Sequence, residues 1–392
     1  MKKSITDIQV TGKKVLMRAD FNVPMDEKRT ITDDSRITAA LPTIKYVIDN
    51  SGKLILMSHL GRPGGKVKTE FCLSPVADRL STLLKINVRS MDDCVGEDVR
   101  EAVARMREGD VVLLENLRFH REETKNDPGF AGELASLGDV FVEDAFGTCH
   151  RAHASTVGVT EHLPGVAGFL VQKEIEYFEK VTKHPEHPFS LILGGAKVAD
   201  KIPVIENMLD KIDFLMIGGA MAYTFLKSRL KGVGASRVEE DMADIVQRIF
   251  EEASLKNVGI FLPRDHVIAR EMKENAARRT VKEHIPDGWI GLDIGPETLK
   301  NYESVLKDSK SIVWNGPMGV FEMKPFAAGT RGLARYMSRL DATTVIGGGD
   351  TAAAVNQMGL GKKMSHISTG GGASLEYLEG KALPGIAALD DI

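Results

Sequence analysis

Cysteine is scarce in this chain of 392 residues. Cys72, Cys94 and Cys149 are odd in number and far apart, and no C-x-x-C occurs. A disulfide framework is therefore not expected, and a reducing compartment such as the cytoplasm is. Long apolar runs are missing as well. A membrane-crossing helix needs roughly 20 consecutive apolar residues, and no stretch approaches that. The basic start, Met1-Lys-Lys-Ser-Ile-Thr-Asp7, has no apolar segment behind it, so neither a span nor a secretory leader is expected. Neither sign of charge is in excess: 51 Lys+Arg face 55 Asp+Glu, for a net charge of -4. That balance gives no overall footprint for nucleic acid or an anionic membrane surface. Three nucleotide signatures are also absent. Without G-x-x-x-x-G-K-[ST] there is no Walker-type loop. Without G-x-G-x-x-G after the first strand a nicotinamide dehydrogenase is disfavoured, and the catalytic-loop and D-F-G pattern of protein kinases is missing.

What is present reads as a soluble α/β protein. Hydrophobic residues make up 43% and charged residues 27% of the chain, an ordinary globular balance, and the length suits two or three domains. Short apolar runs alternate with helix-period segments almost throughout. Val15–Asp20, Leu54–Leu60, Val111–Leu117 and Val140–Phe146 read as buried strands, with helices over Asp33–Asn50, Ser74–Lys85 and Gly96–Glu108 between them. Asp33, Asp34 and Ser74 suit N-caps, and Pro75 suits a first helical turn. In the second half Leu191–Gly194, Phe214–Gly218, Gly259–Pro263, Ile312–Asn315 and Thr344–Gly348 read as strands. Helices are expected to begin near Ala196, Ala220, Glu239, Pro296, Thr330 and Asp350. Strands that are apolar throughout imply parallel sheets covered on both faces. The fold expected is α/β with two doubly wound, Rossmann-like parallel sheets. The amphipathic segment Gly168–Val181, followed by the proline-broken Lys183–Pro188, reads as a linking helix and hinge.

The polar residues fall at strand ends. In Val15–Pro24, period two puts Arg18, Asp20 and Asn22 on one face at a strand mouth. Arg36, His59, Arg62, Arg118 and Arg151 lie at comparable strand ends or helix starts of the first half. Arginine is the residue for planar, bidentate recognition of phosphate and carboxylate, so the set points to an anion pocket. In the second half, glycines end the strands: Leu193-Gly-Gly-Ala, Ile217-Gly-Gly-Ala, Asn315-Gly-Pro, Ile346-Gly-Gly-Gly-Asp-Thr and Ser368-Thr-Gly-Gly-Gly-Ala-Ser. Glycine there lets backbone N–H groups approach phosphate oxygens, which points to a nucleotide or polyphosphate site. Lys197 and Lys201 are read as sharing a helix face at a helix start, where cations oppose the dipole unless a polyanion is bound. Cys149, His150 and His153 have no second ligand pair at zinc spacing, so no zinc site is expected.

Six segments resemble motifs of the phosphoglycerate kinase family: Arg18-x-Asp-Phe-Asn-x-Pro24, Ser58-His-Leu-Gly-Arg62, Gly194-Gly-Ala-Lys-Val-Ala-Asp-Lys201, Trp314-Asn-Gly-Pro-Met-Gly-Val-Phe-Glu322, Gly347-Gly-Gly-Asp-Thr351 and Ser368-Thr-Gly-Gly-Gly-Ala-Ser374. They occur in family order over nearly the whole chain, and departures such as Ala19, where the family often has Val, are conservative. The resemblance implies reversible phosphoryl transfer from 1,3-bisphosphoglycerate to ADP, giving 3-phosphoglycerate and ATP, with Mg2+. It implies that Asp20, Phe21, Asn22, Arg36, His59, Leu60, Gly61, Arg62, Arg118 and Arg151 hold the phosphoglycerate. For the nucleotide it implies Gly194, Gly195, Lys201, Gly218, Gly219, Gly291, Asn315, Glu322, Gly348, Gly349, Asp350 and Thr351, with Asp350 as Mg2+ ligand and Glu322 at the ribose. Arg36, Lys197, Lys201, Gly371 and Gly372 are the groups it puts around the transferred phosphoryl. The domains expected are 1–170, completed by a returning tail 378–392, a link over 171–187 and a nucleotide domain over 188–377, closing on each other in a cytoplasmic monomer. Two other readings share parts of this pattern. An inactive regulatory nucleotide binder is expected to have lost Arg36, Lys201 or Asp350, and all three are present. A kinase of acetate or aspartate does not need Arg62, Arg118 and Arg151 for a distal phosphate.

Overall fold

Runs of aliphatic and β-branched residues, buried on both faces, build two separate six-stranded sheets. The computed structural model describes residues 1–392. It divides into one unit of Met1–Glu176 with Ala382–Ile392, and a second of Tyr177–Lys381. The first unit holds β1 (Lys14–Arg18), β2 (Lys53–Met57), β3 (Val88–Ser90), β4 (Val111–Leu113), β5 (Val140–Glu143) and β6 (Gly165–Ala167) in the order β3-β4-β2-β1-β5-β6. All its pairings are parallel. The chain winds outward from β1 through β2 to the edge strand β3, steps back to β4 between β3 and β2, then crosses to start again at β5. The strand order therefore reverses between β1 and β5, the position where an open α/β sheet forms a crevice beyond its carboxyl ends.

The second unit repeats this plan. β7 (Phe189–Leu193), β8 (Phe214–Ile217), β9 (Gly259–Phe261), β13 (Ser311–Asn315), β14 (Thr343–Gly347) and β15 (His366–Ile367) run parallel in the order β15-β14-β13-β7-β8-β9, reversing between β7 and β13. Between β9 and β13 the chain makes a further antiparallel sheet of β10 (Asp265–Ala269), β11 (Arg278–Lys282) and β12 (Ile290–Ile294). The sequence reading has no such sheet. Arg278-Arg-Thr-Val-Lys282 is largely exposed and carries no apolar run, and His266 and Asp293 interrupt its two partners. The short strands β3, β6 and β15 were not expected either, each being two or three residues long.

Several boundaries move. β1 ends at Arg18, so Asp20 and Asn22 lie beyond the strand and period two does not align them with Arg18. The helix expected near Ala196 begins at Ile202, with Pro203 in its first turn. Lys197 is consequently in a loop and Lys201 at the N-cap, not two positions on a helix face. Asp34 stands at the N-cap of Ser35–Asp49 but makes no cap bond, because its carboxylate accepts from Arg79 at 2.9 and 2.6 Å. Ser74 is the first helical residue rather than the cap. The helix Phe169–Thr182 is capped by Asp144, whose Oδ1 accepts the N–H groups of Leu170 at 2.9 Å and Val171 at 3.3 Å. The division between units falls within this helix. Ala382–Ile392 returns to the first unit, where the Gly385 N–H donates to the Cys149 carbonyl and the Lys3 N–H to the Asp390 carbonyl, both at 2.9 Å.

Candidate active site

In the first unit the polar residues of the site arrive from four adjacent strands. Asp20 and Asn22 follow β1, His59–Arg62 follow β2, Arg118 lies in the turn after β4, and Arg151 lies in the segment after β5. Arg18 is not at the mouth. It is fully buried and acts as a support: Nε donates to Ser155 Oγ at 3.0 Å, Nη1 to the Ala19 carbonyl, and Nη2 to His59 Nδ1 at 3.0 Å. Since Arg18 can only donate, His59 Nδ1 accepts and the ring proton sits on Nε2. Burial, then the charges of Arg18, Arg118, Arg36 and Arg151, hold His59 well below its ordinary pKa. A neutral His59 is suited to hydrogen bonding rather than to proton exchange.

Asn116 builds the turn that aims Arg118. Its Nδ2 donates to the carbonyls of Leu60 (2.7 Å) and Phe71 (2.9 Å), and its Oδ1 accepts from the N–H groups of Leu60 (3.2 Å) and Arg118 (3.1 Å). Arg118 Nη1 then donates to the Gly61 carbonyl at 2.8 Å, while its buried Nε has no partner. Burial, followed by Arg18 and Arg151, pulls the Arg118 pKa down to about 10. A cavity of about 410 Å³ is lined by Arg62, Arg118, Arg121, Lys125, Arg151, His120 and His153 with no carboxylate on its wall. Asp93 pairs with His120 and the buried Glu123 lies 3.6 Å from His153, but the five Arg and Lys side chains of the wall outnumber these two carboxylates, and concentrated positive charge of that kind attracts anions. The sequence reading missed Arg121 and Lys125, which sit on a short helix with no motif around them. Arg36 pairs with Asp20, and Asn22 Oδ1 accepts the Gly61 N–H at 2.9 Å. The side chains of Phe21 and Leu60 lie in the hydrophobic core, so a ligand can meet only their backbone.

In the second unit a cavity of about 540 Å³ is lined by Gly195, Gly219, Tyr223, Arg237, Gly291, Asp293, Glu322 and Asp350, among others. The glycines divide into two kinds. A Cβ on Gly194 would lie 2.3 Å from the Pro317 carbonyl oxygen, on Gly218 2.4 Å from Met318 Sδ, and on Gly291 2.0 Å from Tyr223 Oη. These positions are glycine because neighbouring chain occupies the space. At Gly195, Gly349 and Gly371 nothing lies within 4 Å of a built Cβ, so there the backbone faces open space. Gly194→Ala is accordingly expected to destabilise the protein by about 1–3 kcal/mol through overpacking. Gly349→Ala should leave thermal stability intact and weaken nucleotide binding. Melting curves and a nucleotide titration of the two variants check this pair.

Lys201 is buried and its Nζ donates to Asn315 Oδ1 at 2.5 Å. Burial lowers its pKa to about 8. Asn315 Nδ2 is buried with no partner, beside Gly347 and Gly348. Lys197 is exposed, on a loop held by Glu239, whose carboxylate accepts the N–H groups of Val198 (3.2 Å) and Ala199 (3.1 Å). Thr351 is fully buried, and its Oγ1 accepts the Gly316 N–H at 2.7 Å, tying the helix Gly349–Gln357 to the turn after β13. The Gly370 N–H is used by Ser368 Oγ at 3.1 Å, leaving the N–H groups of Gly371 and Gly372 for a ligand. Asp293, on the antiparallel sheet, was not legible from any motif. Its carboxylate accepts from Ile294 and Gly329 N–H, and burial pushes its pKa up to about 7.

Two doubly wound units, one offering arginines to a small anion and the other glycines and a buried lysine to a phosphate chain, divide the work of binding as a small-molecule kinase does. The phosphoglycerate kinase family model matches residues 5–381. The phosphoglycerate kinase of Moorella thermoacetica is 55% identical over 391 residues, covering 100% of this chain and 99% of that protein. That of Clostridium perfringens is 56% identical over 393 residues with the same coverage. Among solved structures, phosphoglycerate kinase from Coxiella burnetii superposes with a TM-score of 0.90 at 39% identity, covering 99% of this chain and 98% of that one. The enzyme from Pyrococcus horikoshii OT3 gives 0.87 at 32% with the same coverage. The chain belongs to the phosphoglycerate kinase family. Its activity is that family's glycolytic one, phosphoryl transfer with a carboxyl group as acceptor.

Proposed function

We propose that 3-phosphoglycerate and 1,3-bisphosphoglycerate bind in the first unit and ATP or ADP with Mg2+ in the second. The observation that carries this reading is the cavity walled by Arg62, Arg118, Arg121, Lys125 and Arg151 with no carboxylate among its lining residues. Arg62, Arg118 and Arg151 hold the distal phosphate, while Asp20, Asn22 and His59 orient the glycerate hydroxyl and carboxylate. Gly195, Gly219 and Gly349 admit the nucleotide phosphates, and Glu322 receives the ribose. The orphaned Asn315 Nδ2 fits a phosphate oxygen, and the exposed Asp350 carboxylate fits a hard cation. Bound with the nucleotide, Mg2+ supplies positive charge to the phosphate oxygens.

In the ATP-consuming direction the nucleophile is a carboxylate already ionised at neutral pH, so no general base is required. Catalysis then rests on positioning and on positive charge around the equatorial oxygens. Arg36, Lys197, Lys201 and the N–H groups of Gly371 and Gly372 supply it. Because the reacting groups are held by different units, transfer requires the units to close around them, which also excludes water. The free thiols of Cys72, Cys94 and Cys149 support a reducing cytoplasm. A single chain carrying both sites supports a monomer as the working form.

Arg62→Ala tests the assignment. Losing one charge-assisted contact costs roughly 1.5–3 kcal/mol, so KM for 3-phosphoglycerate should rise about tenfold to a hundredfold. The nucleotide KM should hold, and kcat should stay within a few-fold. A raised nucleotide KM with an unchanged 3-phosphoglycerate KM would overturn the division of ligands between the units.

A further inference from the structure

We propose that Asp93, Cys94 and His120 form a binding site for a thiophilic divalent transition metal of the zinc class, separate from the Mg2+ that accompanies the nucleotide. The donor atoms of the three residues all lie within 4.8 Å of one another. They come from two places in the sequence that no spacing rule joins: Asp93-Cys94 precedes the helix Glu97–Ala104, and His120 follows the turn after β4. Tetrahedral zinc, with bonds of about 2.0–2.3 Å, sets its donors roughly 3.3–3.8 Å apart, so the present cluster needs adjustments of about an ångström.

The surroundings hold the donors in place. His120 Nε2 lies 2.7 Å from Asp93 Oδ1, and its ring stacks on Phe130 with centroids 5.1 Å apart and planes 27° from parallel. The Cys94 N–H donates to Asp93 Oδ1 at 2.6 Å, and the Glu115 N–H donates to the Asp93 carbonyl at 3.2 Å. Cys94 is buried and Asp93 is exposed, so an ion enters past the carboxylate and meets the sulfur at the floor. One thiolate, one imidazole and one carboxylate suit zinc, cobalt or cadmium and not Mg2+ or Ca2+, which take oxygen donors. Three protein donors leave a fourth position for water. On binding, the Cys94 S–H bond breaks, its proton passes to solvent and a metal–sulfur bond forms. The hydrogen bond from His120 Nε2–H to Asp93 Oδ1 breaks and the Nε2 proton passes to solvent, the imidazole keeping its one ring proton on Nδ1, so that Nε2 contributes a lone pair and Asp93 one oxygen. His120 also lines the arginine cavity, whereas Asp93 and Cys94 do not, so the site adjoins that cavity through His120 alone.

The test is a titration of untagged, metal-free, full-length protein with Co2+ in Mg2+-free buffer, followed by absorption. One equivalent is expected to produce thiolate-to-cobalt charge transfer together with tetrahedral ligand-field bands, both displaced by Zn2+. The bands should vanish in Cys94→Ser, weaken in apparent affinity at least tenfold in His120→Gln and Asp93→Asn, and persist in Cys72→Ser and Cys149→Ser. Because Cys94 is buried and its substitution also perturbs packing, the two variants at the more accessible positions decide the matter independently. Absence of thiolate charge transfer in the native protein, bands indifferent to both His120→Gln and Asp93→Asn, or bands lost with Cys72 or Cys149 would overturn the site.

Discussion

Arg36→Ala is expected to lower kcat by roughly three orders of magnitude or more while nucleotide affinity stays within about twofold of the native value. Arg36 is the second residue of the helix Ser35–Asp49, and its guanidinium pairs with Asp20. With a carboxylate as nucleophile there is no proton to move, so the barrier is set by how well charge on the transferred group is met. Removing a single aimed donor in such settings costs on the order of 10²–10³ in kcat, and removing an arginine aimed at a phosphoryl group costs more. The substitution also leaves the Asp20 carboxylate without its partner next to an anionic substrate. Nucleotide affinity is spared because the glycine-lined cavity lies in the other unit. Arg36→Lys should recover only part of the loss, since an ammonium keeps the charge but not the planar fork. Steady-state kcat in both directions, with nucleotide Kd by calorimetry, decides it. An unchanged kcat removes Arg36 from the chemistry.

Lys201→Met should lower kcat/KM for the nucleotide by about 10²–10³-fold, the range for loss of a preorganised positive group. Lys201 is buried against Asn315, and burial brings its pKa to about 8 from an ordinary 10.5. The sign follows directly. The ammonium form exists below that value and is lost above it, so in the free enzyme the attraction for phosphate falls as pH rises through about 8. Native kcat/KM, which reports free-enzyme groups, should therefore decline on the alkaline side with an apparent pKa near 8. Lys201→Met should lack that decline. Lys201→Arg should also lack it, because arginine stays charged, although a fork in place of a point charge costs activity. A native profile flat to pH 9.5 would show that Lys201 does not act through its charge.

The parts of this account that were legible in the sequence are those set by burial and by strand-end chemistry. Runs such as Val111–Leu114 and Phe189–Leu193 have no polar alternation, and that alone dictates parallel strands covered on both faces. The motif residues at the ends of those strands follow from the same topology. What was not legible depends on tertiary contacts. Gly194 and Gly218 read as phosphate glycines and Gly291 is a nucleotide residue by resemblance alone, yet the atoms that require glycine there are Pro317, Met318 and Tyr223, distant in sequence. Thr351 is a nucleotide residue by resemblance, as part of the Gly347–Thr351 motif, and only the fold shows that its hydroxyl is spent on Gly316. Lys197 and Lys201 read as a helix start, but the distant Glu239 holds Val198 and Ala199 in a loop and the helix begins only at Ile202, with Pro203 in its first turn. The strand Arg278–Lys282 is too exposed to leave an apolar signature. Arg121, Lys125 and Asp293 carry no local pattern, and only the fold brings them to cavity walls.

The most direct test of the central claim, that the arginine cavity selects a phosphorylated acid for ATP-dependent transfer to its carboxylate, is turnover of the purified chain with ATP and Mg2+. The 3-phosphoglycerate reaction is coupled to glyceraldehyde-3-phosphate dehydrogenase and followed as NADH loss, with acetate and aspartate assayed separately for ADP release. Turnover with 3-phosphoglycerate, dependent on both ATP and Mg2+ and absent with the two unphosphorylated acids, is the result expected. Comparable turnover of acetate or aspartate, or none with 3-phosphoglycerate while ATP still binds, would contradict it.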